Sequence, residues 1–461
     1  MERLSETQSI CSICKKPVAA YYGEEKGKVY FIKNCKTHGQ TKTLVANEAE
    51  AYKKWIKHPV VNIPPKMALT EGQEGECPLH CGTCDQHLQT ACCVLLDITE
   101  RCNQSCPYCF AKAGEDDESQ DPTLEEIERW YDGLLELGEE RPFNIQLSGG
   151  EPTVRQDLPE IIAMGRAKGF DYIQLNTNGK RLAQEEGYGK ILKKAGVSVA
   201  FLQFDGTEDR IYETLRGEPL FSQKKKAIAN CRKAGIPVTL VPTMTKQVNM
   251  DNIGDMMKFM LENIDVVKGI HFQPVSFFGR HPEDYENRVT MFDVMNELER
   301  QTGGQFQRED LVPISTGHSL CCFCGSYLKE LDGHIKSLIS KETKTVGLGC
   351  CDEMDPLDII KKDRDFVLNK WELPEREEEE CSCCGEAPVE EVGCCCSGED
   401  EVMDFDQLLT YLRKNMFTVS GMAFQDLSNL DAERVKRCRV QVYTKDEKLI
   451  PFCAYNSLYR V

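Results

Sequence analysis

Cys102, Cys106 and Cys109 stand in the stretch CNQSCPYC, at the spacing C-x3-C-x2-C. Three thiolates so placed can hold three corners of a [4Fe–4S] cube and leave the fourth iron without a protein ligand. An open iron is a place to bind and reduce a small molecule; a structural zinc site is expected to use four protein ligands. A second triplet of the same spacing, Cys77, Cys81 and Cys84 in ECPLHCGTCDQH, lies just upstream. His87, Cys92 or Cys93 can complete it, as an auxiliary cluster or as a zinc site.

Other cysteines fall in groups of their own. Cys11 and Cys14 form CxxC, and Cys35 with His38 forms CxxH, on either side of AAYYGEEKGKVYFIK. The intervening residues read as two strands around a glycine-containing turn, the layout of a zinc ribbon or rubredoxin-like knuckle holding one mononuclear Zn or Fe. Cys321, Cys322 and Cys324 precede SYLKELDGHIKSLI, a hairpin with Asp-Gly at its turn, and Cys350 and Cys351 follow. Six cysteines crowd residues 381–396, a segment that can bind soft metals or further iron, or be an insertion without a catalytic part. Cys438 and Cys453 bracket a hairpin-like pair, RVQVY and KLIPF, so they can share a metal or form a buried unliganded pair.

The elements that must position the first triplet are legible as alternation. Strand patterns at 94–99, 143–148, 172–177, 197–204, 237–243 and 266–275 are separated by helical patterns at 122–138, 158–169, 181–195, 207–215 with 221–234, and 250–262. Six β–α repeats imply a parallel sheet, open or partly closed as a barrel, with chemistry at the C-terminal strand ends. CNQSCPYC follows strand one. SGGEP, Ser148 to Pro152, ends strand two; its glycines let a ligand approach the backbone, and the Glu151 carboxylate can help hold an amine. Alone, Gly-Gly-Glu can be no more than a turn. Its place one βα unit after the triplet gives it meaning.

Composition bounds the rest. The 461 residues, 41% of them hydrophobic, suffice for one large α/β domain with smaller modules. A net charge of −19 argues against a protein that grips nucleic acid phosphates or an anionic membrane. The first ten residues lack the apolar run of an export signal, and no stretch is apolar for long enough to span a bilayer. With 25 cysteines grouped in ligand-like clusters, metal ligation in a reducing cytoplasm is expected rather than disulfides, and an anaerobic setting with it.

CNQSCPYC, with the aromatic Tyr108 before its third cysteine, and SGGEP together resemble the radical SAM superfamily; LNTNG at 175–179 and QFDG at 203–206 agree. The resemblance covers about residues 93–280. It implies that Cys102, Cys106 and Cys109 hold the cluster, that the amino and carboxylate groups of S-adenosylmethionine chelate the open iron, and that the Gly149–Glu151 turn holds the methionine part. Asn176, Asn178, Asp205 and Thr243, at strand ends, are expected to touch cofactor or substrate. One-electron reduction then releases a 5′-deoxyadenosyl radical, which the protein aims at one C–H bond. A ferredoxin or flavodoxin is implied as electron donor.

The N-terminal CxxC…CxxH, the tandem triplets and the C-terminal GMAFQD…RCRVQVY…PFCAYN are similar to a subgroup that contains the archaeal tetraether lipid synthase, also known as a 7,8-dihydro-6-hydroxymethylpterin methyltransferase. The first name implies carbon–carbon bond formation between lipid chains, the second methylation of a pterin. The expected architecture is a partial (β/α)6 TIM-like barrel at 93–280, an N-terminal metal module at 1–60, a linker with an auxiliary cluster motif at 61–92, a cysteine-rich auxiliary region at 281–400 and a small C-terminal α/β module at 401–461. No cobalamin-binding domain precedes the core, and the 381–396 segment has no place in the subgroup pattern. A peptide-modifying maturase is a further reading of the cysteine–hairpin unit at Cys324. An electron-transfer or metal-handling protein explains the cysteines but not SGGEP. A lipid substrate requires a long apolar tunnel and leaves room for peripheral membrane contact. A pterin requires a small pocket with paired amide donors and acceptors.

Overall fold

The computed structural model describes residues 1–72, 76–82, 84–114, 120–138, 143–282, 287–314, 316–339 and 405–460. Cys350, Cys351 and the 381–396 segment lie outside the described residues.

The N-terminal unit is a four-stranded antiparallel meander, β1 (Glu2–Ile10), β2 (Pro17–Glu25), β3 (Lys28–Cys35) and β4 (Gly39–Ala46), followed by a short helix, α1 (Ala49–Trp55). Two strands were expected; the flanking β1 and β4 are polar on their outer faces, so their alternation carries little apolar signal.

The core holds β5 (Cys93–Thr99), β6 (Asn144–Gly149), β7 (Ile173–Thr177), β8 (Val199–Gln203), β9 (Val238–Val241), its short continuation β10 (Thr243–Met244) and β11 (Val267–Pro274), all parallel. Helices α2 (Leu124–Leu137), α3 (Leu158–Ala167), α4 (Lys180–Gln184), α5 (Tyr188–Ala195), α6 (Asp209–Arg216), α7 (Phe221–Ala234) and α8 (Ile253–Glu262) return the chain between them. Thr123 caps α2, its hydroxyl and the Glu126 carboxylate bonding reciprocally to backbone N–H groups. The single helix expected over 181–195 is two: Glu185 turns extended and ends the first, and Gly187, at φ +85°, precedes the second.

The strands alternate in a way that decides the site. Val94, Leu96, Ile145, Leu147, Ile173 and Leu175 point outward and are buried under the helices, each such side chain contributing roughly 1.5–3 kcal/mol. Their neighbours at period two, Leu95, Gln146, Asn176, Phe201, Gln203, His271 and Gln273, point into the barrel and line a cavity.

Beyond the sixth repeat the chain continues through α9 (Met291–Gln301), capped by Thr290 and Asp293, and the antiparallel hairpin of β12 (Cys322–Lys329) and β13 (Ile335–Ser337). The C-terminal residues are not a separate module. β14 (Met416–Met422) pairs in parallel with β11 at one edge of the core sheet, and β15 (Val440–Tyr443) pairs in parallel with β5 at the other, with β16 (Leu449–Pro451) beyond it. Eight parallel strands therefore run β15-β5-β6-β7-β8-β9-β11-β14, two more than the repeats alone predict. Edge strands present unpaired N–H and C=O groups, and both edges of the six-stranded arc are satisfied by a segment far away in sequence.

The stretch between β14 and β15 docks the N-terminal unit. Asp431 accepts from the hydroxyls of Thr7 (2.6 Å) and buried Tyr22 (2.7 Å) and caps the following turn through the Glu433 N–H (3.0 Å). Ser9 donates to the Leu430 carbonyl, and Ser12 and buried Lys33 to that of Leu427. Replacing Asp431 by Ala strands the buried Tyr22 hydroxyl and the half-buried Thr7 hydroxyl, so Asp431→Ala is expected to lower stability by about 2 kcal/mol. Denaturant unfolding of the anaerobic holoprotein checks this, with limited proteolysis expected to release residues 1–47 first.

Candidate active site

The cysteine triplet lies in the loop after β5, at the C-terminal end of the sheet. Cys102, Cys106 and Cys109 share one cavity with Tyr108, Ser148, Gly149, Gly150, Glu151, Asn176, Asn178 and Thr243. Cys106 is buried and the other two half-buried. Burial, with the Glu151 charge adding to it, pushes the Cys102 thiol up to about 12. Burial also raises Cys106, while Arg216 acts the other way.

SGGEP is built for close approach. A Cβ on Gly149 would lie 2.0 Å from the Thr99 carbonyl oxygen, and one on Gly150 2.2 Å from that of Arg101, so only glycine fits against the start of the cysteine loop. The Glu151 carboxylate is a brace. Its Oε1 accepts from the Thr153 N–H (3.1 Å), the Thr153 hydroxyl (2.6 Å) and the Thr177 hydroxyl (2.7 Å). Its Oε2 accepts from the Asn178 N–H at 2.6 Å and is the oxygen with capacity left. Asn178 in turn donates to Asn103 (2.7 Å), and Lys180 to the Asn103 carbonyl (3.1 Å), so the ends of β6 and β7 hold the first half of the cysteine loop. Two glycines that open the backbone, beside three cavity-facing thiols, fit a [4Fe–4S] cluster with an amino acid moiety on its open iron.

One sequence assignment changes. Asp205 does not face the cavity: it is fully buried and both its oxygens hold Arg216, at 2.7 and 2.6 Å. Thr243 does face it, its hydroxyl accepting from Arg216 at 2.9 Å.

The cavity extends about 400 Å³ from the triplet into the barrel. Its strand-borne floor carries Gln146, Asn176, Gln203, Gln273 and His271, and Phe278, Phe424 and Phe452, from segments outside those strands, complete its lining. Gln174 donates to Asn176 at 2.7 Å, and Lys224, buried and held near 8 by that burial, donates to Gln203 at 3.1 Å. Burial keeps His271 neutral, down to about 4; its Nδ1 meets the Ser420 hydroxyl at 2.9 Å and its ring lies 5.5 Å from Phe201. These floor residues, apart from Asn176, are absent from the sequence expectation, yet a signal existed. Three strands carry the floor Gln next to apolar neighbours, in NIQLS, FLQF and HFQP, and in YIQLN Gln174 stands behind the floor residue Asn176.

The other metal candidates separate into two places. Cys11, Cys14, Cys35 and His38 converge, their ligand atoms all within 4.8 Å of one another. Cys77 and Cys81 are in mutual hydrogen-bond contact, which with burial pushes Cys81 well up; Cys84 and Cys438 act on it too. Cys321 acts on both Cys438 and Cys453. Cys324 lies in β12, its thiol acting on Cys322 and Tyr327. Of the residues that can complete the upstream triplet, Cys92 and Cys93 line the wall of the active cavity, while His87 stays close to the triplet, its N–H donating to the Cys84 carbonyl and its ring contacting the Cys438 carbonyl oxygen, both at 3.0 Å.

Residues 96–260 match the model of the radical SAM superfamily, and residues 3–47 that of the HMPTM N-terminal zinc ribbon domain. The 7,8-dihydro-6-hydroxymethylpterin dimethyltransferase of Methanocaldococcus jannaschii is 35% identical over 99% of this chain and 94% of its own length. This chain belongs to the radical SAM superfamily. It is an enzyme of that family, with the family's [4Fe–4S] cluster and S-adenosylmethionine, an N-terminal zinc ribbon and a small-molecule substrate. More distant relatives align with parts of it. The Fe-coproporphyrin III synthase of Methanosarcina barkeri is 35% identical over 33% of this chain and 37% of its own. The probable GTP 3′,8-cyclase of Pyrococcus horikoshii is 34% identical over 36% and 50%.

Glu151→Gln tests the brace. An amide offers one acceptor oxygen where the carboxylate serves four donors, and the lost charge-assisted bonds are each stronger than neutral ones. S-adenosylmethionine binding to the holoenzyme is expected to weaken more than tenfold while iron and sulfide contents hold, as read by equilibrium dialysis.

Proposed function

We propose that this enzyme methylates a reduced pterin. The carrying observation is the cavity floor, where carboxamides from three adjacent strands, β6, β7 and β8, and from β11, one strand beyond β9, share with a neutral imidazole a cavity of about 400 Å³. Small-ligand pockets run from about 300 to 1,000 Å³, and an amide presents the donor–acceptor pair that matches the edge of an amino-oxo heterocycle. The name of the M. jannaschii relative supports the same substrate class.

When bound, the cluster and S-adenosylmethionine supply a radical able to abstract hydrogen from an unactivated carbon. The chain's own residues supply the placement. Gly149 and Gly150 admit the amino acid moiety to the backbone, Tyr108 and Thr243 flank it, and the floor amides fix the substrate's edge. Phe278, Phe424 and Phe452 complete the lining, their rings 4.5 and 6.1 Å from the shared Phe452, and exclude water from the reacting carbon. Cys77, Cys81 and Cys84, with Cys438, Cys321 and Cys453 nearby, form the auxiliary cluster region, fed by a ferredoxin or flavodoxin in a reducing cytoplasm. No helix among the described residues is long and apolar enough to cross a membrane.

The apolar upper wall, with Leu95, Met422, Val440 and the three phenylalanines, favours a second reading, the joining of lipid chain ends. Anaerobic turnover with S-adenosylmethionine and a low-potential reductant separates the two. With 6-hydroxymethyl-7,8-dihydropterin, a product heavier by one or two methyl groups is expected. Each methylation consumes two electrons from the reductant and two S-adenosylmethionine. One is cleaved to methionine and 5′-deoxyadenosine, which keeps the abstracted hydrogen; the other gives its methyl and leaves S-adenosylhomocysteine. Unchanged pterin with cross-linked isoprenoid phospholipid would instead establish the lipid reaction. Gln273→Leu is expected to raise the KM for the pterin at least tenfold and leave the lipid arm unaffected.

A further inference from the structure

The cysteine loop is held from outside by two arginines that neither SGGEP nor the triplet predicts. Within Cys106-Pro107-Tyr108-Cys109, the carbonyl of Cys106 accepts from Arg280 Nη1 at 2.8 Å and the carbonyl of Tyr108 accepts from Arg216 Nη1 at 2.8 Å. Arg280 Nη2 also takes the carbonyls of Lys112 (2.9 Å) and Ala113 (2.8 Å), gathering the far end of the loop onto the same guanidinium. The main chain joins in: Cys109 N–H donates to the Arg280 carbonyl at 2.9 Å, and Arg280 N–H to that of Cys109 at 2.8 Å. Gly279 makes this approach feasible. It adopts φ +70°, and a Cβ there would meet the Cys109 and Phe110 carbonyl oxygens at 2.3 and 2.4 Å.

The two arginines come from different parts of the barrel. Arg216 ends α6, after the fourth core strand, and is buried with Asp205 as its carboxylate partner. Arg280 follows the sixth core strand and lines the active cavity, where no ion pair is formed by it among the described residues. A guanidinium cannot lose its proton in a protein, so both charges are fixed.

We propose that Arg280 and Arg216 form an electrostatic clasp that raises the reduction potential of the cluster on Cys102, Cys106 and Cys109 and fixes its open iron toward the cavity. Reduction adds one electron, hence one unit of negative charge, next to carbonyls already polarised by two cations. In a poorly solvated site that charge is stabilised more than in water, and cluster potentials respond to local charge and hydrogen bonding. These are positioning residues: they touch the loop, not the reacting atoms.

A purely mechanical role, satisfying carbonyls of a buried loop, predicts altered stability or cluster content but an unchanged potential. The test is a potentiometric EPR titration of holoenzymes matched for iron and sulfide, with this cluster identified by the change of its signal on adding S-adenosylmethionine. Arg280→Gln is expected to titrate at lower potential than the parent. It should form 5′-deoxyadenosine several-fold more slowly with a reductant near the cluster's own potential, and recover with a stronger one. Arg280→Lys and Arg216→Lys keep the charge and lose the fork. They are expected near the parent potential, with a changed spectrum in the presence of S-adenosylmethionine. A parent-like potential in Arg280→Gln overturns the proposal. Should that variant fail to load its cluster, a potential shifted downward in both lysine variants, or a parent-like spectrum in both, overturns it instead.

Discussion

Backbone pairing at the two edges of the parallel sheet is the constraint on which the rest of the structure depends. Six βα repeats make an arc, and an arc has two open strands whose hydrogen-bonding groups face nothing. In this chain β14 covers β11 and β15 covers β5, so both edges are satisfied by residues 416–443. The segment between these strands must therefore run from one edge to the other. That route brings Phe424 to the cavity, places Asp431 where the zinc ribbon docks, and carries Cys438 to where it acts on the Cys81 thiol, and the turn back through β16 adds Phe452 to the cavity wall. Substrate enclosure, ribbon attachment and the auxiliary cysteines are consequences of one closure.

Within that frame the cysteine loop is held at several points. Asn178 and Lys180 fasten its beginning from β7, Arg216 fastens its middle from α6, and Arg280 fastens its end from beyond β11. Each fastening satisfies a loop carbonyl or side chain that would otherwise be stranded. The buried Arg216–Asp205 pair illustrates the cost: two charges leave water, and the geometry must be good enough to offset it. Bidentate contact at 2.6 and 2.7 Å, with the Thr243 N–H on the same carboxylate at 3.1 Å, meets that demand. Asp205 is thus necessary to the site without entering it.

The floor of the cavity follows from period-two geometry. Strands covered by helices on one side and enclosing a cavity on the other can be apolar outside and polar inside. Gln146 sits between Ile145 and Leu147 and is the residue of that trio that faces the barrel. The same arrangement in β7, β8 and β11 gathers carboxamides that are far apart in the chain onto one face of the sheet, β11 lying one strand beyond β8 across β9.

By itself the sequence determined the local devices. CNQSCPYC and SGGEP identified the triplet and its glycine cradle, because short-range chemistry is written in consecutive residues. CxxC and CxxH identified the four-ligand knot of the ribbon, and the apolar periods identified six strands and their helices to within about three residues at each end, apart from the helix over 181–195 that is two. Only the tertiary structure decided what depends on non-local pairing: that β14, β15 and β16 belong to the barrel sheet, that Asp205 faces Arg216 rather than the cavity, that Cys438 acts on the Cys81 thiol, and that Arg216 and Arg280 meet on one loop. The physical reason is the same in each case. A strand's neighbour, a buried charge's partner and a thiol's companion are chosen by the closed sheet, which brings together residues separated by up to hundreds of positions, and no spacing along the chain encodes that distance.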